Sequence, residues 1–253
     1  NQQAGTLPAK YRHASLRDLT DDLGWATHGV VPDFRDIVEP DGRALGLFNL
    51  RAMPYTALFE GVTRTVRTEG DRTIAEYATP HGTLRTVTVY GEAMRRAGIS
   101  ISHVAEHAFK DARDYAALGH LFEHVRVAPR EDGYQAFADH VGDRGIAAAW
   151  LGGAASPMHW IQRELMPVDL FFYEMHDHPD EMARLAEQVE VLWNQLEDVA
   201  CSCSAPAIHA GANYDSMIQY PPFFERHIVP WLRRLARRLH AKGKYLLTHT
   251  DGE

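Results

Sequence analysis

Cysteine is almost absent from this chain: there are two in 253 residues, Cys201 and Cys203, with one residue between them. So close a pair cannot staple a secreted disulfide fold, and a reducing cytoplasm is the expected location. With no third cysteine, Cys-x-Cys supplies at most half of a soft-metal site and reads as two ordinary thiols at a helix end. Long apolar runs are also missing. No stretch approaches the roughly 18 apolar residues of a membrane span, and the opening NQQAGTLPAKYR lacks the apolar core and cleavage pattern of a secretion signal. Positive charge is in deficit, with 26 Lys and Arg against 34 Asp and Glu and a formal net charge of −8. That balance argues against nucleic-acid partners, which demand a basic patch to neutralise phosphates.

The chain does have a large apolar fraction, 45% of residues, enough for one large domain or two small ones. Ser15 to Gly24 reads as a short helix, with Ser15 as N-cap, Asp18 three residues on and a glycine stop. Leu45 to Tyr55 is apolar and could hold a strand. Between Val62 and Val89, alternating Thr, Val, Arg and Tyr broken at Gly70-Asp71 and Pro80-His81-Gly82 predicts a three-stranded antiparallel meander beside the main body.

Fifteen histidines invite metal readings. His103-Val-Ala-Glu106-His107 matches an inverted zinc-peptidase pattern, which needs both histidines on one helix face; the stretch follows a run of strand character, so the match is read as chance. His120 and His124 are expected on the polar face of a helix over 111–124.

From Tyr134 onward the pattern is regular. A helix over 134–141 precedes a buried strand, Ile146 to Leu151, then Gly152-Gly153 and the Ser156-Pro157 cap of a helix. Val168 to Met175 and Asp180 to Val199 read as helices, the second with a 3.6-residue apolar stripe. Ala205 to Ala210 is the next strand. Pro221-Pro222 opens a helix that Pro230 should kink, and its arginines at 226, 233, 234, 237 and 238 are assigned to a solvated face. Gly243 closes it, Lys244 to Thr248 forms a last strand, and His249, Thr250, Asp251, Gly252 and Glu253 follow at its carboxyl end. Buried strands alternating with helices predict a parallel sheet, and such sheets place their chemistry at the carboxyl ends of the strands. His249 and Asp251 would lie on one side of the extended chain, where they could hold a metal, a water or a polar substrate. Asp-Gly is equally an ordinary turn pair. His209, Asn213 and Asp215, one strand earlier, would line the same mouth, the alternative being a capped loop before a helix.

The order Gly-Gly-Ala-Ala-Ser-Pro after a strand, Asp177-His-Pro-Asp-Glu, Asn213-Tyr-Asp-Ser, Pro221 to Pro230-Trp231, and Gly243-Lys244 into His249-Thr-Asp251-Gly252 resembles the uroporphyrinogen decarboxylase superfamily. Gln3-Ala4-Gly5, Leu7-Pro8 and Tyr11-Arg12 resemble its amino-terminal loop. The resemblance implies a (β/α)8 TIM barrel with the meander as an addition, and with further strands before Asn1 and after Glu253. Where the true decarboxylases carry two carboxylate-gripping arginines, this chain has Gln2 and Thr6. Losing them would cost several kcal/mol at about 1.5 to 3 for each charged hydrogen bond, so the resemblance points to the methyltransferase branch. That branch moves methyl groups between small molecules and a corrinoid carried by a partner protein, often with zinc. His249 matches its histidine ligand, and Asp251 stands where it has a thiolate, a donor set suited to a harder acceptor such as an ether oxygen or water.

The resemblance thus implies His249 and Asp251 as catalytic residues, the same two with Glu253 as metal ligands, and His209, Asn213, Asp215 and Trp160 as substrate-lining residues. A decarboxylase-like lyase and a barrel that binds a ligand without turnover are the alternatives.

Overall fold

The computed structural model describes residues 7–26, 29, 45–47, 49–97, 99 and 101–250. Its first helix, α1 (Leu16–Leu23), begins as its sequence dictates. Ser15 accepts the Asp18 N–H, Asp18 accepts the Ser15 N–H, and Gly24 ends the helix at φ 64°. Two antiparallel units follow. β1 (Tyr55–Phe59) pairs with the later β6 (Val125–Pro129) as a ribbon. β2 (Thr63–Glu69), β3 (Arg72–Thr79) and β4 (Gly82–Val89) are the expected meander, turned at Gly70 (φ 61°) and at Gly82 (φ 136°), and β5 (His103–Glu106) adds a fourth strand beyond α2 (Glu92–Arg96). His103 and Glu106 therefore lie on a strand, where the helical peptidase geometry cannot form.

Two helices, α3 (Tyr115–Glu123) and α4 (Glu131–Val141), lead to β7 (Ala148–Gly152). Ser156 caps α5 (Pro157–Trp160), whose proline occupies the first turn, and a wide π-turn over Ile161–Leu165 continues it. α6 (Val168–Asp177) and the 24-residue α7 (Pro179–Ser202) return the chain to β8 (Ala207–Ala210). The predicted stripe of α7 is buried at Met182, Leu185, Val189, Leu192, Trp193 and Leu196. α8 (Pro221–Phe223) runs through a π-turn over Phe224–Ile228 into α9 (Val229–His240), then β9 (Tyr245–Leu247). Pro230 thus sits in a first turn, the π-turn before it absorbing the missing N–H, where an unbroken helix would be kinked.

β7, β8 and β9 form a parallel sheet in that order, with Trp150 opposite His209 and His209 opposite Leu247. Every residue of β7 and β8 is buried, as expected of strands covered on both faces.

The barrel expectation is overturned. Among the described residues three strands are parallel, the other six belong to the two antiparallel units, and no sheet closes. A (β/α)8 barrel requires a helical crossover after each strand. β2, β3 and β4 are instead joined by tight hairpins, and β1 runs antiparallel to β6, so none of them can be a barrel stave. No helix of the described residues is long and apolar enough to cross a membrane.

Candidate functional site

The carboxyl ends of β7, β8 and β9 are tied together by their backbones. The Gly211 and Ala212 N–H groups donate to the Gly152 and Gly153 carbonyls at 3.3 and 3.0 Å, and the His249 N–H donates to the Gly211 carbonyl at 3.3 Å. Gly211 adopts φ 78°, and a β-carbon there would sit 2.1 Å from the Tyr214 hydroxyl, so only glycine lets the tyrosine fold over the strand end. Thr248 also donates to the Gly211 carbonyl, at 3.2 Å, and is 2.8 Å from the Tyr214 hydroxyl. A threonine hydroxyl has one proton, so with that proton on Gly211 it is Tyr214 that donates to Thr248. The tyrosine oxygen keeps its acceptor capacity. Burial pushes its pKa up, with Thr248 and the Arg163 charge pulling the other way.

Two side chains from the α5 region complete this end of the sheet. Arg163 donates through Nη1 to the Ala212 carbonyl at 3.1 Å and through Nε to Glu164 at 3.2 Å, and its guanidinium lies so close over Gly153 that a β-carbon there would meet it at 2.9 Å. His159 is wholly buried, accepts the Ala155 N–H on Nδ1 at 3.2 Å and packs its ring 5.6 Å from that of Tyr214. Its Nδ1 is therefore unprotonated and its Nε2 carries the hydrogen. Desolvation, followed by the nearby Arg163 charge, drives its pKa down to about 3, so the ring is neutral at ordinary pH.

The loop after β8 is braced from behind. Gln219 accepts the Asp215 N–H at 2.9 Å and donates to Gln162 at 2.7 Å. Beside it opens a cleft of about 300 Å³, lined by Tyr214, Gln219, Phe224 and Thr250 with the carboxylates of Asp215 and Glu225.

The residues singled out from sequence distribute unevenly over this region. His249 is exposed at the β9 end, and His209 is buried within β8. Asn213 holds a left-handed turn at φ 59°, and Asp215 accepts the Met217 and Ile218 N–H groups at 2.7 and 3.2 Å, the capped-loop role. Trp160 is buried, with its indole N–H on the Leu45 carbonyl at 2.8 Å. Asp251 and Glu253 lie outside the described residues, as do Gln2 and Thr6.

Comparison with protein-family models, curated proteins and solved structures returns no match to this chain. The site therefore rests on its own geometry. As to zinc, His249 is the sole proposed ligand that is described, and no three His, Cys, Asp or Glu side chains gather as a metal set among the described residues. The described part does not by itself fit the metal.

Arg163, His159, Tyr214 and Thr248 were not legible as site residues. A single cation in the buried helix start PMHWIQREL, one turn past a strand and a glycine pair, is the signal that could have marked Arg163.

Proposed function

We propose that the carboxyl ends of β7, β8 and β9 form the substrate site of an enzyme. The reaction class is the one the sequence resembles: transfer of a methyl group from a small methylated molecule to a corrinoid carried by a partner protein, in the cytoplasm. The supporting observation is the meeting at the strand ends of the His249 backbone N–H and the Thr248 hydroxyl on the Gly211 carbonyl, Tyr214 on Thr248, and Arg163 on the Ala212 carbonyl. The corrinoid supplies the methyl acceptor. In demethylation of an ether, the carbon–oxygen bond breaks, the methyl group leaves with no bonding electrons, and the oxygen keeps the pair. That oxygen needs a proton. His249, with Asp251 two residues on, is assigned as the general acid, an imidazolium being a ring N–H donor able to hand its proton to that oxygen. Tyr214, its proton committed to Thr248 and its ring folded over the strand end, is assigned to orient the substrate by packing against it.

The test follows methylcobalamin formation by absorbance, with free cob(I)alamin as acceptor and a panel of small methyl ethers, methoxyacetate and 2-methoxybenzoate among them. Turnover with at least one ether, reduced by about 100-fold or more in His249→Ala as expected for loss of a general acid, supports the assignment. No methylcobalamin with any ether overturns it. Carbon dioxide release from a carboxylated substrate would replace it with the lyase reading, and tight ether binding without product with the ligand-binding one.

A further inference from the structure

Arg163 is the one guanidinium placed at the joined ends of β7 and β8 among the described residues, and its hydrogen bonds leave one edge open. Of the five N–H donors of an arginine, that on Nε goes to Glu164 and one on Nη1 to the Ala212 carbonyl. The Nη2 pair has no acceptor among the described residues, while the side chain is 21% exposed. The head group cannot swing away to find one: it is held by Ala212 on β8, by the buried Glu164 carboxylate and by contact with the Gly153 backbone. A cation fixed on three sides with a free edge at a strand mouth is a preorganised anion receptor.

We propose that Arg163 binds the carboxylate of a small monoanionic substrate through its free Nη edge. This names a substrate class for the strand-end site and rests on the reading of that site as the place where substrate binds. The charge balance selects the class. One guanidinium faces the ligand, and the Glu164 carboxylate already occupies its other edge, so a phosphate dianion would meet one cation with an anion behind it. A planar carboxylate matches the fork of two coplanar N–H groups and brings a single charge. Of the rings packed at this end His159 is neutral and Tyr214 is a neutral phenol, while the Asp215 and Glu225 carboxylates line the adjoining cleft and disfavour a second negative charge on the ligand.

The experiment is calorimetric titration of the protein with benzoate and, separately, with inorganic phosphate, for wild type, Arg163→Met and Arg163→Lys. Benzoate should bind wild type, weaken about tenfold or more in Arg163→Met as expected for loss of a charge-assisted pair, and weaken less in Arg163→Lys, which keeps the charge without the fork. Phosphate should bind more weakly than benzoate. Benzoate binding that persists unchanged in either Arg163 variant, tighter phosphate than benzoate binding, or no benzoate binding to wild type up to its solubility limit each overturns the proposal. Arg163→Lys retains a donor for the Ala212 carbonyl, and so keeps the test informative if Arg163→Met fails to fold. A wild type that binds benzoate but transfers no methyl group from any ether would count against the reaction assigned above while leaving the anion site standing.

Discussion

His159 is a histidine held in one protonation state by its surroundings. Its Nδ1 accepts a backbone hydrogen bond, its Nε2 hydrogen has no partner among the described residues, and no water reaches the ring. Charging it would place a cation in a site with no counter-ion and beside Arg163, which is why its pKa falls to about 3. In the unfolded chain the same ring titrates near 6.5. Between these two values the unfolded state holds a proton that the folded state does not, so stability is complete above about pH 6.5 and is lost as pH falls toward 3. The loss amounts to about 1.4 kcal/mol for each pH unit within that window. Urea unfolding at pH 7, 6, 5 and 4 should therefore show wild type losing stability more steeply than His159→Gln, by about that slope. Parallel curves for the two proteins would mean that the ring protonates freely in the fold. Nothing in the sequence marked this residue, because its neutrality depends on burial by chain segments far from it. Ser15 and Asp18 are the opposite case: a capping box closes within four residues and was readable in full.

At the scale of elements, the arginines of α9 teach the same distinction. By sequence they form a solvated face; in the fold Arg234 and Arg238 reach back to α7, where the fully buried Glu197 accepts Arg234 at 3.0 Å, Arg238 at 2.8 Å and the Trp193 indole N–H at 2.9 Å. The pairing depends on the relative rotation of two helices some 40 residues apart, which no local periodicity encodes. Glu197 joins α7 to α9 and, through them, β8 to β9, so it supports the sheet whose ends carry the candidate site. Lys244 makes a second tie, its ammonium donating to the Ala200 carbonyl at 3.0 Å and to the Cys203 carbonyl at the end of α7, where a cation also favours the helix dipole. Replacing Glu197 by Gln removes the charge facing both arginines. A broken buried pair costs about 3 to 5 kcal/mol, and since both arginines are more than a third exposed and can turn to water, a loss of about 3 is expected. Asp198, next along the helix, also meets Arg238, at 2.6 Å, but is 71% exposed. Asp198→Asn should therefore change stability by about 0.5 kcal/mol or less. Equal losses for the two variants, measured by chemical unfolding, would show that burial of Glu197 is not what gives its pairs their strength.

For the whole molecule, the question is how antiparallel units and a parallel sheet share one chain. β7 and β8 were legible as buried strands from their short apolar runs and flanking glycines or prolines, and the meander from its turn residues; β9 was legible as a strand, but its expected burial fails, with Tyr245 and Leu247 exposed. The barrel was not, because three parallel strands with helical crossovers satisfy every local rule that a barrel's strands do, and closure is decided by pairings the sequence does not display. What unites the units is α3. It packs against β3 and β4 on one side and against α7 on the other, approaching α7 so closely at Gly119 that a β-carbon would meet the Gln188 amide at 2.3 Å. Its Phe122, Leu118 and Leu121 belong to the same buried cluster as Tyr77 and Leu84 of the meander and Leu185, Val189 and Trp193 of α7. A contiguous core of this kind couples the stability of its parts, so the meander and the α/β part should unfold together. The chain offers a way to see it: the meander has no tryptophan, whereas Trp150, Trp160, Trp193 and Trp231 lie in the α/β part and the fifth, the exposed Trp25, follows α1. With Trp25 replaced by Phe, tryptophan fluorescence should report that part alone, and far-ultraviolet circular dichroism the whole. Coincident thermal transitions are expected for wild type. In Phe122→Ala, where a buried aromatic is lost at a cost of about 3 to 5 kcal/mol, both signals should shift down by the same amount. A fluorescence transition that separates from the dichroism transition, in wild type or in the variant, would mean that the meander holds its structure independently and that α3 is a contact between two units rather than the centre of one.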